Sequence, residues 1–288
     1  IRRARLKTQY QAAKTSRFVF YLDAGRDRLR LLEVFVELAR EFGDIKAALV
    51  AGQHTIPFGY EIEYSSSKRD FPERSTAERE LFAGERDRMI NLTIQAGKCV
   101  AANAAVLNGT GIEDKDFTWE SPFRDRKNYL GRVRASGQID KVKFQGGVSG
   151  YIGDRFDPAD SADHRADRDR WGADAQVFAE LFPALGETSL RGEITWANEK
   201  NKNARGGYLW LAQKLGKWIG AAARVDIYDP DTDKKDGSKL TQVSLAGHCY
   251  YDDNVRVTVA YDARRTEEVG GKNDPDDDIT TVQFQFAF

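Results

Sequence analysis

Apolar and polar residues exchange places at every second position along most of the chain. At the carboxyl end Val282, Phe284, Phe286 and Phe288 fall on one face of an extended segment, with Thr281, Gln283, Gln285 and Ala287 on the other. Only a strand separates residues in this way, because its side chains alternate with a period of two. The same pattern sets Ala4, Leu6 and Thr8 against Arg3, Arg5, Lys7 and Gln9, and Phe18, Phe20 and Leu22 against Arg17, Tyr21 and Asp23. It returns at 89–97 (Ile90, Leu92, Ile94), 129–135, 142–149, 190–196, 219–228, 243–249 and 255–262. Segments 29–41 and 170–182 are rich in helix-favouring Leu, Ala and Glu. Their neighbours share the two-residue period and a helix would interrupt the array, so both are predicted as strands. The alternation is less clean over 44–56, rests on context over the Ala-rich 100–108, and is ambiguous in phase over 205–215. Fifteen strands are predicted in all.

The connections have their own rhythm. Tight turns are expected at 42–43, 98, 139–140, 183–184, 216 and 252–254. They alternate with longer polar links at 57–88, 112–126, 153–169, 199–204, 230–238 and 266–277, and only the 26–28 link breaks the long side. Short turns on one rim and long loops on the other are the signature of an all-β, transmembrane antiparallel β-barrel. A soluble sheet ending on its most apolar strand would leave an adhesive edge. Barrel closure removes that edge, and lipid takes up the apolar face. Barrels of this class have an even strand number, so 16 strands are expected. The sixteenth would precede Ile1 and close against Phe284–Phe288.

Composition agrees. Charged residues are 31 % of the 288 and the mean hydropathy is −0.60, with no apolar run long enough for a spanning helix. Barrel strands show only half their side chains to lipid and tolerate such an average. Lys plus Arg (44) nearly cancels Asp plus Glu (45), which gives a nucleic-acid partner no electrostatic support. The two cysteines, Cys99 and Cys249, and three scattered histidines have no metal or redox spacing, so neither a metal nor a cofactor is expected. Five Trp, eleven Tyr and sixteen Phe suit aromatic girdles, and a sandwich core equally well.

Several short motifs occur in order along the chain: Arg-Arg-Ala-Arg-Leu (2–6), Gly-Gln-x-x-x-Pro-Phe-Gly (52–59), Phe-Pro-Glu-Arg-Ser (71–75), Gly-Glu-Arg-Asp (84–87), Tyr-Asp-Pro (228–230) and the terminal Phe. In these the chain resembles the phosphate-selective porin O/P family of Gram-negative outer membranes. The resemblance implies a water-filled, usually homotrimeric barrel in outer-membrane lipid, with 57–88 as an inward-folded constriction loop. It also implies insertion by the barrel assembly machinery, which would read Phe284, Phe286 and Phe288. Phosphate selectivity in that family depends on lumenal Arg and Lys, and no such ladder aligns here.

With Phe288 and its parity partners facing lipid, the pore-lining candidates for contact with small anionic solutes are Arg3, Arg5, Lys7, Arg17, Arg132, Arg134, Arg191, Arg224 and Arg256. The loop adds Lys68, Arg69, Arg74 and Arg79. Acidic residues share these faces and the loop is nearly neutral, so the expectation is passive diffusion with a weak anion preference. An enzyme is not expected. A barrel-borne hydrolase would have to use His164 with Asp157, Asp160, Asp163 or Asp167, and no nucleophile pairs with them. A barrel sheathing a cytochrome, or a soluble β-sandwich, are the remaining alternatives.

Overall fold

A computed structural model describes residues 1–25, 28–109, 111–112, 127–156, 165–182, 184–200, 202–234, 239–266 and 277–287. The strands are β1 (Arg5–Ala13), β2 (Ser16–Asp23), β3 (Arg30–Phe42), β4 (Ile45–Thr55), β5 (Arg86–Ala96), β6 (Val100–Leu107), β7 (Asn128–Ile139) and β8 (Val142–Phe156). They continue as β9 (Arg165–Phe182), β10 (Gly186–Glu199), β11 (Lys202–Leu215), β12 (Ile219–Asp229), β13 (Leu240–Tyr250), β14 (Val255–Thr266) and β15 (Ile279–Phe286). Each pairs antiparallel with the next in a single sheet ordered β1 to β15, which excludes a two-sheet sandwich. This is an all-β, membrane-spanning barrel fold. β1 and β15 are not paired with each other, and both run from the long-loop rim to the short-turn rim.

Register carries the alternation around the whole wall. Val257 stands opposite Phe284 and Val259 opposite Val282 on the outer face, while Thr258 and Gln283 pair on the inner one. Leu6, Phe18, Val133, Leu209, Leu245 and Phe284 are exposed, and Trp210, Arg224, Asp226 and Thr258 are buried. A sheet that exposes its apolar residues and buries its charged ones is inverted relative to a soluble fold, and only lipid outside accounts for that economically. Phe284 and Phe286 lie on the outer face as expected. Phe288 lies outside the described residues.

Both helix-like segments are strands, and so are the three weak ones. Three connections differ from expectation. β8 reaches Phe156 and β9 begins at Arg165, so the 153–169 link shortens to 157–164, and β10 and β11 are joined by residues 200–201 alone. These strands continue past the apolar belt with polar residues on both faces, where alternation gives no contrast to read. The 57–88 loop runs from 56 to 85 between β4 and β5. It carries one short helix, α1 (Thr76–Leu81), which the two-residue period could not reveal.

Candidate functional site

The 56–85 segment packs against buried side chains of the wall strands. Pro57-Phe58-Gly59 forms its first anchor. The Phe58 ring lies 4.5 Å from that of Phe82, in a buried cluster with Ile62, Leu81, Leu107 and Tyr151. The Gly59 N–H donates to Ser149 Oγ at 3.1 Å. The N–H groups of Tyr60 and Glu61 then donate to the buried Glu193 carboxylate at 3.1–3.2 Å, which also accepts from the Tyr208 hydroxyl at 3.1 Å. Gly59 has φ +57°, and a Cβ there would sit 1.6 Å from Glu193 Oε1. Glycine is required twice over, for its backbone and for the approach of the carboxylate. Helix α1 packs against β11, where a Cβ on Gly206 would lie 2.4 Å from Ala77 Cβ.

Wall arginines close over the loop. Arg224 pairs with Asp226 at 2.9 Å and Glu61 at 3.4 Å, donates to the carbonyls of Glu73 and Arg74, and lies over the Phe71 ring at 4.6 Å. Arg191 pairs with Asp70 at 3.2 Å and stacks on Trp210 at 4.4 Å and Tyr64 at 5.1 Å. Arg256 donates to the Arg69 carbonyl at 2.8 Å. At the tip, Arg5 donates to Ser66 Oγ at 2.6 Å and Gln285 to the Ser67 carbonyl at 2.7 Å, so the loop touches both β1 and β15.

The remaining sequence candidates are mostly paired rather than arrayed as a free ladder. Arg3 pairs with Glu73 at 3.1 Å, Arg5 with Asp23 at 2.9 Å, Lys7 with Glu33 at 3.2 Å and Arg17 with Glu37 at 2.6 Å. Arg132 pairs with Asp174 at 3.1 Å and Arg134 with Glu63 at 3.1 Å. Arg74 is buried, pairs with Glu85 and donates to the carbonyls of Glu61 and Ile62. It pins the loop to itself. Among the described residues Lys68, Arg69, Arg79 and Arg256 have no carboxylate at ion-pair distance. Lys68 is exposed at the tip, Arg79 reaches Thr76 Oγ1 at 3.4 Å, and burial draws the Arg69 guanidinium down to about 10.

Sequence reasoning passed over Arg170, which stacks on Phe82 at 4.4 Å and donates to Glu199 at 2.8 Å. Its parity with Asp174 in the predicted 170–182 strand was the available signal. Glu61, Tyr208 and Trp210 also escaped notice, since nothing local marks a loop acid or a wall aromatic as facing a loop. His164, Asp157, Asp160 and Asp163 lie outside the described residues.

Glu78, on α1, accepts from Thr195 Oγ1 at 3.1 Å while its other oxygen has no partner. Burial, and then the neighbouring Glu61 charge, push its carboxyl up from 4.5 to about 8. A raised acid is held protonated in the folded state. Its contribution to stability is therefore complete below its unfolded value and falls as pH rises toward about 8. Stability against SDS at increasing temperature is expected to decline from pH 5 to pH 8 in the native chain, and Glu78→Gln is expected to flatten that decline. An unchanged slope would place the pH dependence elsewhere.

No protein-family model and no curated protein matches the sequence. Among solved structures the chain is similar to OprB of Pseudomonas putida, with a TM-score of 0.73 at 10 % identity over 99 % of this chain and 87 % of that one. This is the fold of the outer-membrane porins. The anion-selective porin of Comamonas acidovorans (TM-score 0.63, 13 % identity, 99 % and 89 % coverage) shares it. So does the outer membrane channel DcaP of Acinetobacter baumannii (0.61, 12 %, 99 % and 84 %). These neighbours are porins and channels, and at such identities the likeness concerns the fold alone.

Proposed function

We propose that the chain is a porin of the Gram-negative outer membrane, a passive channel for small hydrophilic solutes with a weak preference for anions and no catalytic role. The carrying observation is the inverted sheet, apolar outside and charged inside, with a polar loop folded across its interior. The porin and channel neighbours support this reading. In it, 56–85 constricts the pore, the barrel assembly machinery inserts the chain, and a homotrimer forms, as in the trimer form of OmpT from Vibrio cholerae. The motif resemblance favours the phosphate-selective O/P family, although the paired arginines argue against a dedicated phosphate ladder.

The weak preference follows from the charges left over. Most wall cations are matched by carboxylates, while Lys68, Arg69, Arg79 and Arg256 are not, and Glu78 is held largely neutral. In this reading those unmatched cations, placed where the loop meets the wall, tip the balance, since Arg and Lys lining a pore favour anions. In a KCl gradient across a planar bilayer the reversal potential is expected to have the sign of anion selectivity. It should shrink at 1 M salt, where the Debye length falls to about 3 Å. Arg69→Ala is expected to move it toward zero. Clear cation selectivity in the native protein would refute the proposal.

A further inference from the structure

On the outer face of β9–β11, near the long-loop rim, the apolar belt gives way to a built pocket. Trp171, Trp196 and Arg205 stand side by side across three strands, Trp171 opposite Trp196 and Trp196 opposite Arg205. All three are exposed, and the Arg205 guanidinium lies 5.8 Å from the centre of the Trp196 ring. They border a cavity of about 520 Å³ whose polar side is formed by Asp169, Asn198, Asn203 and Thr232. That side is held in place: Thr232 N–H donates to the Asn203 carbonyl at 2.7 Å and the Asn198 amide to Asn203 Oδ1 at 3.0 Å. Arg205 makes no ion pair among the described residues.

The rows below lead from this pocket toward the middle of the membrane. Ala173, Ile194 and Gly207 are in register, followed by Ala175, Gly192 and Leu209. Four of those six residues have a methyl group or less, so a shallow trough passes on either side of Ile194. The row immediately below, Val177, Leu190 and Leu211, carries larger apolar side chains and ends the trough.

We infer that this pocket binds the phosphorylated sugar headgroup of an acylated lipid in the outer leaflet. The two indoles offer flat faces to the C–H face of a sugar ring, and their N–H edges suit the interface. Asp169 and the Asn198 and Asn203 amides offer acceptors and donors to ring hydroxyls. Arg205 offers a fork to a phosphate, a geometry that Arg matches in bidentate fashion. The trough receives the upper part of an acyl chain. A phospholipid without a sugar would engage Arg205 but leave the indole faces and the carboxylate of Asp169 without complementary groups. The site rests on the outer-membrane location proposed above and not on channel activity.

The test uses the full chain in detergent micelles, with a bis-phosphorylated, acylated glucosamine disaccharide as probe. Binding is read by native mass spectrometry and by the shift in thermal unfolding. Saturable binding is expected, weakened about tenfold or more by Arg205→Gln, since a charge-assisted phosphate contact is lost. The paired change Trp171→Leu with Trp196→Leu should abolish it, and Tyr129→Leu, on the outer face of β7, should leave it intact. The dephosphorylated probe should bind more weakly and be indifferent to Arg205→Gln. Heat-modifiable gel migration and unchanged conductance would establish that each variant folds. Native-strength binding by the Trp variant, equal binding of dioleoyl phosphatidic acid, or dissolution of the oligomer by the Trp changes would each overturn the inference. The last would assign the face to a neighbouring subunit.

Discussion

Gly59→Val is expected to open the channel. The new Cβ would occupy the place of Glu193 Oε1, 1.6 Å away, in a backbone conformation of φ +57°. The left-handed region costs a side chain about 1–2 kcal/mol, and a β-branched residue is among the worst suited to it. The larger effect is loss of the carboxylate's grip on the Tyr60 and Glu61 amides, which leaves a buried acid with only Tyr208 as a hydrogen-bond donor. The first turn of the loop then cannot seat. Single-channel conductance should rise to a sizeable fraction of that reached by excising 60–84, with noisier open levels. The barrel should still resist SDS until heated, because no strand contact is broken. A variant with native conductance would show that the loop seats without this anchor, or that the solute path avoids it.

Arg224→Met is expected to weaken the whole assembly. Arg224 is the sole cation at ion-pair distance from Asp226 and Glu61 among the described residues, and all three are almost completely buried. Breaking a buried pair by removing one partner costs about 3–5 kcal/mol, because an uncompensated charge remains. The Glu73 and Arg74 carbonyls would also lose their donor. The transition from folded to heat-denatured mobility on gels should move to markedly lower temperature. The double change with Asp226→Leu should recover part of the loss, as expected for coupled neighbours. If Arg224→Met and the double variant unfold alike, Asp226 is not the group left stranded.

The wall of the barrel could be read from the sequence because lipid on one side and water or loop on the other impose strict alternation. Leu6, Phe18, Val257 and Phe284 announce their face without knowledge of any partner. The interior could not be read so far. Arg132 meets Asp174 from 42 residues away and Arg191 meets Asp70 from 121 away. Such partners are set by strand register and by the path of the loop, neither of which leaves a local mark. Arg224 and Asp226 are the exception, two residues apart on one face and paired. Strand ends above the membrane were invisible for a related reason: Asp167, Asp169 and Arg170 alternate polar with polar. Gly59 stood out as part of a motif, but its reason lay in a carboxylate 134 positions further on.

The loop's anchors also set an order of events. Tyr60 waits for Glu193, 133 residues downstream, and Ser67 waits for Gln285, 218 residues downstream and nearly the last residue of the final strand. Contacts at such separations form late, after the intervening chain has found its place. A barrel refolding into a bilayer should therefore pass through a wide, unobstructed stage before the loop drops in behind the finished wall. Recordings of single insertions are expected to show a large step up followed by a fixed step down. Gly59→Val should keep the first and lose the second.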